Sequence, residues 1–211
     1  MLNRLLARYY TVIASIYLYN EYRGYTELER LFVAVREKFP EEKAFIEAVR
    51  KHTDDERKHY KMFRHYFEAR NTMPLTVDRS SGYVDKFVRL VFRKKLDDLD
   101  TAAILNNDTL FFKLCRLVMM TEFRGLKQVE SLLRSPIIRR NDELVRIFRI
   151  VERDEPTHCY PYEQWLRSRG SHEPGLRERI TDIWVHYSLI LIRFPLIYLN
   201  PFRARLREFP A

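Results

Sequence analysis

Asn20-Glu21-Tyr22-Arg23-Gly24 followed by Glu56-Arg57-Lys58-His59, and Thr121-Glu122-Phe123-Arg124-Gly125 followed by Glu155-Pro156-Thr157-His158, are two passages of one pattern in a chain of 211 residues. Each runs Glu-aromatic-Arg-Gly and then Glu-x-x-His, with 35 and 33 residues from the first glutamate to the second. Charged helices often produce a lone Glu-x-x-His. Its recurrence inside a larger pattern, in the same order and at nearly the same spacing, rarely arises by chance. In an α-helix, residues i and i+3 lie about 60° apart around the axis and about 4.5 Å apart along it. The Glu and His of each pair, Glu56 with His59 and Glu155 with His158, can therefore reach one metal from one face. Charge agrees: four carboxylates carry about −4 and two divalent ions about +4, so the set can be buried near neutrality with metal and would repel itself without it.

The turns test this register. Antiparallel helices joined by a short loop place residues equidistant from the turn at one level. The midpoint between Glu21 and Glu56 falls at Lys38 and Phe39, beside Pro40, and that between Glu122 and Glu155 falls near Ile138 and Arg139, just after Ser135-Pro136. Both are where breaker residues are expected. Glu27 and Glu29 are alternatives to Glu21, but neither has an equivalent in the second passage, whereas Glu122 matches Glu21 by its flanking residues. The pattern predicts helix 1 over about 2–38, helix 2 over about 41–70, helix 3 over about 109–134 and helix 4 over about 142–169, ended by Gly170. A long connection over about 71–107 includes Thr72-Met73-Pro74, Ser80-Ser81-Gly82 and a short amphipathic helix near 84–96, and a fifth segment covers about 174–200. The stretch Met1 to Arg8 continues into helix 1 without a small-residue cleavage site, so it reads as helix rather than as a targeting signal.

With these residues in place the chain resembles the ferritin-like di-iron carboxylate superfamily over roughly residues 5–168. The resemblance implies an all-α fold: a four-helix bundle with a long crossover between hairpins, here as a single domain with an additional C-terminal helix. It implies Glu21, Glu56, His59, Glu122, Glu155 and His158 as ligands to two Fe ions, although oxygen and imidazole donors suit Mn or a mixed Mn/Fe pair as well. It also implies that Asp154 orients His59 and Asp55 orients His158 by accepting the remaining ring N–H, the kind of contact that fixes the tautomer and raises ligand basicity.

Composition bounds the rest. Apolar residues make up 46% and only five are Gly, which favours long helices around a substantial core. No Gly-rich phosphate loop occurs. Cys115 and Cys159 are too few for a four-cysteine zinc or rubredoxin site and point to reduced thiols in a cytoplasmic setting, so electrons must come from an external donor. Net charge is +9, with Arg and Lys scattered among Glu and Asp along the helices, which reads as a solvated basic surface rather than a nucleic-acid interface. An anionic membrane surface or an acidic carrier protein is the partner class such a surface would attract.

Helical arithmetic places Tyr17, Gly24, Tyr25 and Leu28 on the Glu21 face, and Cys115, Val118, Gly125, Leu126 and Val129 on the Glu122 face, as residues that could form a pocket. A helix-interior Gly costs about 1 kcal/mol relative to Ala, so Gly24 and Gly125 mark either close helix approach or room for a substrate. Tyr60 and Tyr160 read as core packing before any role beside a metal. Glu152, one turn before Glu155, has no counterpart at Thr53 and is an extra ligand, a proton relay or a surface residue. Pro156 should kink helix 4 beside the site or restart it there, and a restart would aim Glu155 differently.

The resemblance admits three functions: an oxygen-activating oxidoreductase (a hydroxylase, desaturase or related monooxygenase) acting with O2 on an apolar or amphipathic organic substrate; iron oxidation and storage or peroxide removal; and a non-catalytic metal-binding bundle. Apolar, aromatic-rich helices favour the first, and the positive charge counts against an iron-mineral shell. The C-terminal stretch from Ile183 to Asn200 approaches bilayer length but is interrupted by His186, Arg193 and Pro195. It reads first as a fifth helix packed on the bundle or across a homodimer. The alternative is an interfacial helix held on an anionic membrane by its aromatics and by Arg203, Arg205 and Arg207, a placement similar to that of the ferritin-like demethoxyubiquinone hydroxylases.

Overall fold

The computed structural model describes residues 2–77 and 82–204 and is all-helical. Two long hairpins form its body. Helix α1 (Leu2–Lys38) runs antiparallel to α2 (Lys43–Glu68), with the turn at Phe39 and Pro40. Between the hairpins lie α3 (Tyr83–Phe92), a 3-10 turn (Leu96–Asp98) and a short α4 (Thr101–Leu105), the last a helical turn inside the expected connection. Of the expected turn Ser80-Ser81-Gly82, Ser80 and Ser81 lie outside the described residues, as do Met1, Arg205 and Arg207.

Helix α5 (Asp108–Arg134) begins where the Asn107 side chain accepts from Leu110 N at 3.1 Å, and its return strand of helix begins likewise, with Asn141 accepting from Leu144 N at 3.1 Å. Such caps satisfy amide donors that have no partner within the first turn. The return is two helices rather than the one expected: α6 (Asp142–Asp154) and α7 (Pro156–Ser168). Pro156 occupies the first position of α7, where its missing N–H costs no helical hydrogen bond. Glu155 nonetheless keeps helical angles (φ −50°, ψ −40°), so the restart does not turn its side chain away. Gly170, at φ +63°, ends α7 in the left-handed conformation that Gly adopts without a Cβ penalty.

Two apolar cores occupy the two ends of this body. One gathers Val12, Leu18, Phe63, Phe67, Val129, Phe148 and Val151; the other gathers Leu31, Val35, Phe45, Val49, Phe111, Tyr162 and Trp165. On every long helix the ligand-type residues fall between the two cores, so the polar cluster is shut off at both ends by closely packed side chains. A third core, with Phe87, Val88, Leu117 and Val185, attaches α3 and α8 (Leu176–Ser188) to α5.

Both appended helices are held by an ion pair from a buried aspartate to the arginine of a repeated Glu-aromatic-Arg-Gly element. Arg23 grips Asp85 of α3 through Nη2 to Oδ1 at 2.9 Å and Nε to Oδ2 at 3.2 Å, while Tyr19 donates to the same carboxylate at 3.0 Å. Arg124 grips Asp182 of α8, and Tyr83 donates to that carboxylate. Both carboxylates are buried, and two-pronged guanidinium contacts are the strong form of such a pair.

The fifth segment continues from α8 through a π-helical turn (Leu189–Arg193) into α9 (Phe194–Leu199). It packs on the bundle through Val185, Ser188 and Ile197 but leaves Ile183, Trp184, Tyr187 and Leu191 between 52% and 70% exposed. Leu176–Leu199 is long and apolar enough, by length and composition, to cross a membrane.

Candidate metal centre

The six residues of the repeated pattern converge between the two cores. Glu21, Glu56, His59, Glu155 and His158 are buried and Glu122 is nearly so. His59 Nδ1 faces Glu21 Oε2 at 3.4 Å and Glu56 Oε1 at 3.8 Å; His158 Nδ1 faces Glu56 Oε1 at 3.6 Å and Glu155 Oε2 at 3.8 Å. Two donor groups result, each with ligand atoms within 4.8 Å of one another: Glu21, Glu56 and His59 in one, and His52, Glu56, Glu122 and His158 in the other. Glu56 belongs to both. Glu155 adjoins the second through His158. Glu27 pairs with Arg30 at 3.4 Å and Glu29 with Arg57, so neither competes with Glu21. Glu152 is in neither group among the described residues.

Each imidazole is tethered at one nitrogen. His59 Nε2 lies 3.1 Å from Asp154 Oδ2, and His158 Nε2 lies 3.3 Å from Asp55 Oδ2. An ionised carboxylate only accepts, so Nε2 carries a proton in both rings and Nδ1 is the ring atom left facing the cluster. Lys58 braces the two aspartates, reaching Asp154 at 2.7 Å and also Asp55, which Lys51 holds from its other side. Burial opposes ionisation of Asp55 and Asp154, but the histidine and lysine partners outweigh it and hold both well below the usual carboxylate range.

Inside the cluster the glutamates divide: burial opposes a charged Glu122, but His52 and His158 outweigh it and lower it, whereas Glu56 and Glu155 move up. Burial and then the neighbouring Glu21 push Glu56 up to about 8, and burial and then Glu122 push Glu155 well above its ordinary value. Burial disfavours a charged His59, yet Asp154, Glu21 and Glu56 raise it well above the usual imidazole range. Burial and the nearby His52 lower His158 to about 3. Protons thus occupy the place of cations in the centre. Metal binding displaces such protons, since carboxylate and imidazole ligate in their deprotonated forms.

The residues fit a metal pair by one further observation. Glu21 Oε2, His52 Nε2, His59 Nδ1, Glu155 Oε2 and His158 Nδ1 are all buried without a hydrogen-bond partner, and all belong to this cluster. Stranding one such atom costs about 1–3 kcal/mol, so five in one place need a common partner.

His52 is the residue that sequence reading missed. The signal was present: it lies one turn before Glu56 and two before His59, giving His52-x-x-x-Glu56-x-x-His59 along one face of α2.

The glycines open space for ligand carboxylates. A Cβ on Gly24 would overlap Glu56 Oε2, whereas one on Gly125 would sit 3.5 Å from Glu155 Oε1, an ordinary contact. A cavity of about 90 Å3 adjoins the cluster, lined by Tyr17, Gly24, Gly125 and the four glutamates. An apolar cavity of about 60 Å3 meets it at Gly24, Thr121 and Glu122, and Leu28, Val88, Leu117 and Val118 line its walls. Four residues expected beside these spaces line neither. Tyr25 packs on Tyr22 and Tyr60 under the Arg57 guanidinium, Leu126 is half-buried elsewhere on α5, and Cys115 and Val129 are absorbed by the two end cores. The cause is common: a helix face is wider than the cavity it borders, so residues a turn away pack against other helices. Tyr160 is exposed against Phe123. The Tyr17 hydroxyl is buried at the cavity, and burial followed by Glu21 raises it well above its ordinary value, so it keeps its proton.

Comparison of the chain with family models, with curated proteins and with solved structures returns no significant match.

Proposed function

We propose that the chain is a ferritin-like di-iron oxidoreductase that uses O2 to oxidise an apolar or amphipathic organic substrate. The observation that carries this reading is the convergence of five buried, unpartnered ligand atoms on carboxylates that repel one another. When bound there, a pair of iron ions supplies the electron transfers and Lewis acidity that O2 chemistry needs. The protein's part is positional. Asp154 and Asp55 fix the tautomer and aim of His59 and His158, and Lys58 keeps both aspartates ionised. Glu56 holds the two positions together by belonging to both donor groups. The end cores exclude water from the centre, and the apolar cavity ending at Glu122 receives the part of the substrate to be oxidised. Tyr17 keeps its hydroxyl protonated at the cavity wall, where it can donate a hydrogen bond.

The electron donor is external. Lys58, which braces Asp55 and Asp154, also lines a cleft with Arg57, Lys61 and Arg146, where the basic residues outnumber Asp54 and Glu143, and this favours an acidic carrier protein at that surface. The exposed apolar side of Leu176–Leu199 favours delivery of an amphipathic substrate from a membrane surface, with a homodimer contact as the competing use of the same face.

The test is to reduce iron-loaded protein anaerobically and add stoichiometric O2. The reading expects rapid iron oxidation that stops at two irons per chain. Continued uptake to many irons per chain, with mineral formation, would replace it with iron storage. Oxidation no faster than that of free iron would leave a metal-binding bundle without turnover.

A further inference from the structure

We propose that the two metal positions are chemically unequal and fill in order, because His52 gives one of them a second imidazole. This rests on the dinuclear reading above and adds a ligand and a metal preference to it.

His52 is fully buried. Its Nδ1 lies 3.3 Å from the Tyr162 hydroxyl, and its Nε2 lies 3.6 Å from Glu122 Oε1 and 3.8 Å from Glu56 Oε1 without a hydrogen bond to either. The two Nε2 separations are beyond hydrogen-bonding reach, whereas the 3.3 Å Nδ1 contact is a long hydrogen bond. The Nε2 separations fit a shared ion: ligands each about 2.1 Å from a metal stand about 3–4 Å apart. The ring also lies nearly parallel to that of His158, with centroids 4.1 Å apart and planes at 22°. His52 Nε2 and His158 Nδ1 therefore face the same carboxylates from one side. Like His59 and His158, His52 has one nitrogen tethered and the other aimed at the centre, but the tether is a tyrosine hydroxyl and the free nitrogen is Nε2.

The second half of the chain has no such residue. The position one turn before Glu155 is Val151, which is fully buried in an end core. One position accordingly has two imidazoles with Glu56 and Glu122, and the other has one imidazole with Glu21 and Glu56. Imidazole nitrogen favours Fe(II) and Co(II) over Mn(II), whereas carboxylate oxygen suits Mn(II). The nitrogen-rich position fills first and discriminates against Mn(II). The oxygen-rich position fills second and accepts it. A histidine serving only to pack against Tyr162 would leave Nε2 stranded between two carboxylates, and its loss would not disturb metal binding.

The intact metal-free chain is titrated anaerobically with Co(II), read by its visible absorption, and then with Mn(II) after one equivalent of Co(II), read by electron paramagnetic resonance. Thermal unfolding of each metal-free variant checks that it is folded. The wild type is expected to bind Co(II) in two steps, the first at least about tenfold tighter, and to take up Mn(II) only in the second. His52→Ala and His52→Gln should weaken the first step about tenfold or more, and Tyr162→Phe, which removes only the tether, should do so less. Glu21→Gln should remove the second step and spare the first. Tyr162→Phe and Glu21→Gln decide the matter even where His52→Ala does not fold. Two equal steps in the wild type, or a tight step that survives His52→Gln, would overturn the inference while leaving the dinuclear reading intact. Failure of the wild type to bind Co(II) would remove both.

Discussion

The first half of the chain, α1 to α3, and the second, α5 to α8, repeat one plan and differ at a few chosen points. Each half offers a Glu-aromatic-Arg-Gly helix, an Asp-Glu-x-x-His helix and an appended helix whose aspartate is gripped by the repeated arginine: Asp85 by Arg23, Asp182 by Arg124. The aspartates cross over, so that each half orients the other's histidine. The departures concentrate at the metal cluster. Glu56 enters both donor groups while Glu155 enters neither, the position of His52 is taken by Val151 in the second half, and among the described residues only the second half breaks its ligand helix with a proline. What repeats is the frame around the donor cluster; what does not repeat makes the two donor groups unequal.

The largest expected effect comes from setting Glu56 against Glu155. Glu56→Ala should abolish tight binding of both ions, because its carboxylate is common to both groups, whereas Glu155→Ala should lower occupancy and retain some metal. Elemental analysis after desalting decides this, and equal losses would remove the asymmetry between the two glutamates.

The arginine grips come next. Asp85→Ala removes the two-pronged partner of Arg23, whose side chain is only 11% exposed, and leaves it Asp97 at 2.9 Å; it should destabilise the protein by about 2–3 kcal/mol in urea unfolding. Asp182→Ala should cost less, about 1–2 kcal/mol, because water reaches Arg124 at 24% exposure. A larger loss at Asp182 would mean that α8, not α3, is the more integral helix.

Acidity gives a subtler separation between the metal-free and metal-loaded forms. Glu56 at about 8, with Glu155 and His59 also raised, makes the folded metal-free protein hold more protons than the unfolded chain above about pH 6.5. Its stability should therefore fall, by about 1–2 kcal/mol, as pH rises from 6.5 to 8. His158, lowered to about 3, works the other way only between about 3 and 6.5, so it does not mask the fall. Bound metal replaces those protons, and the loaded protein should show no such decline in thermal unfolding.

The smallest effect distinguishes the two glycines. Gly125→Ala has room and gains helix propensity, so the metal-free protein should be stabilised by up to about 1 kcal/mol. Gly24→Ala displaces the shared carboxylate of Glu56 and should cost metal occupancy instead.

Much of this was legible in the sequence wherever a helical period linked residues of unusual type. The Glu-x-x-His pairs and the hairpin turns at Pro40 and Pro136 need only the helix repeat and a breaker to be located, whereas Asp55 and Asp154 were singled out by the family resemblance. His52 lay on the same face and escaped because its flanks, Thr53-Asp54, look like a solvated surface. The partners of Arg23 and Arg124 were hidden for a different reason: Asp85 and Asp182 sit on appended helices whose docking depends on tertiary packing that no local period reveals. The break at Pro156 was foreseen, but only the backbone shows that Glu155 stays helical and its side chain stays with the cluster.

The measurement that bears most directly on the central claim is the iron content of the intact protein after anaerobic reconstitution with Fe(II) and removal of loosely bound ions, compared with a double Glu21→Ala, Glu122→Ala variant. The paired-metal account predicts two irons per chain in the wild type and a sharp loss in the double variant, since Glu21 and Glu122 each belong to a different donor group. Fewer than one iron per chain in the wild type, or unchanged iron in the double variant, would contradict it.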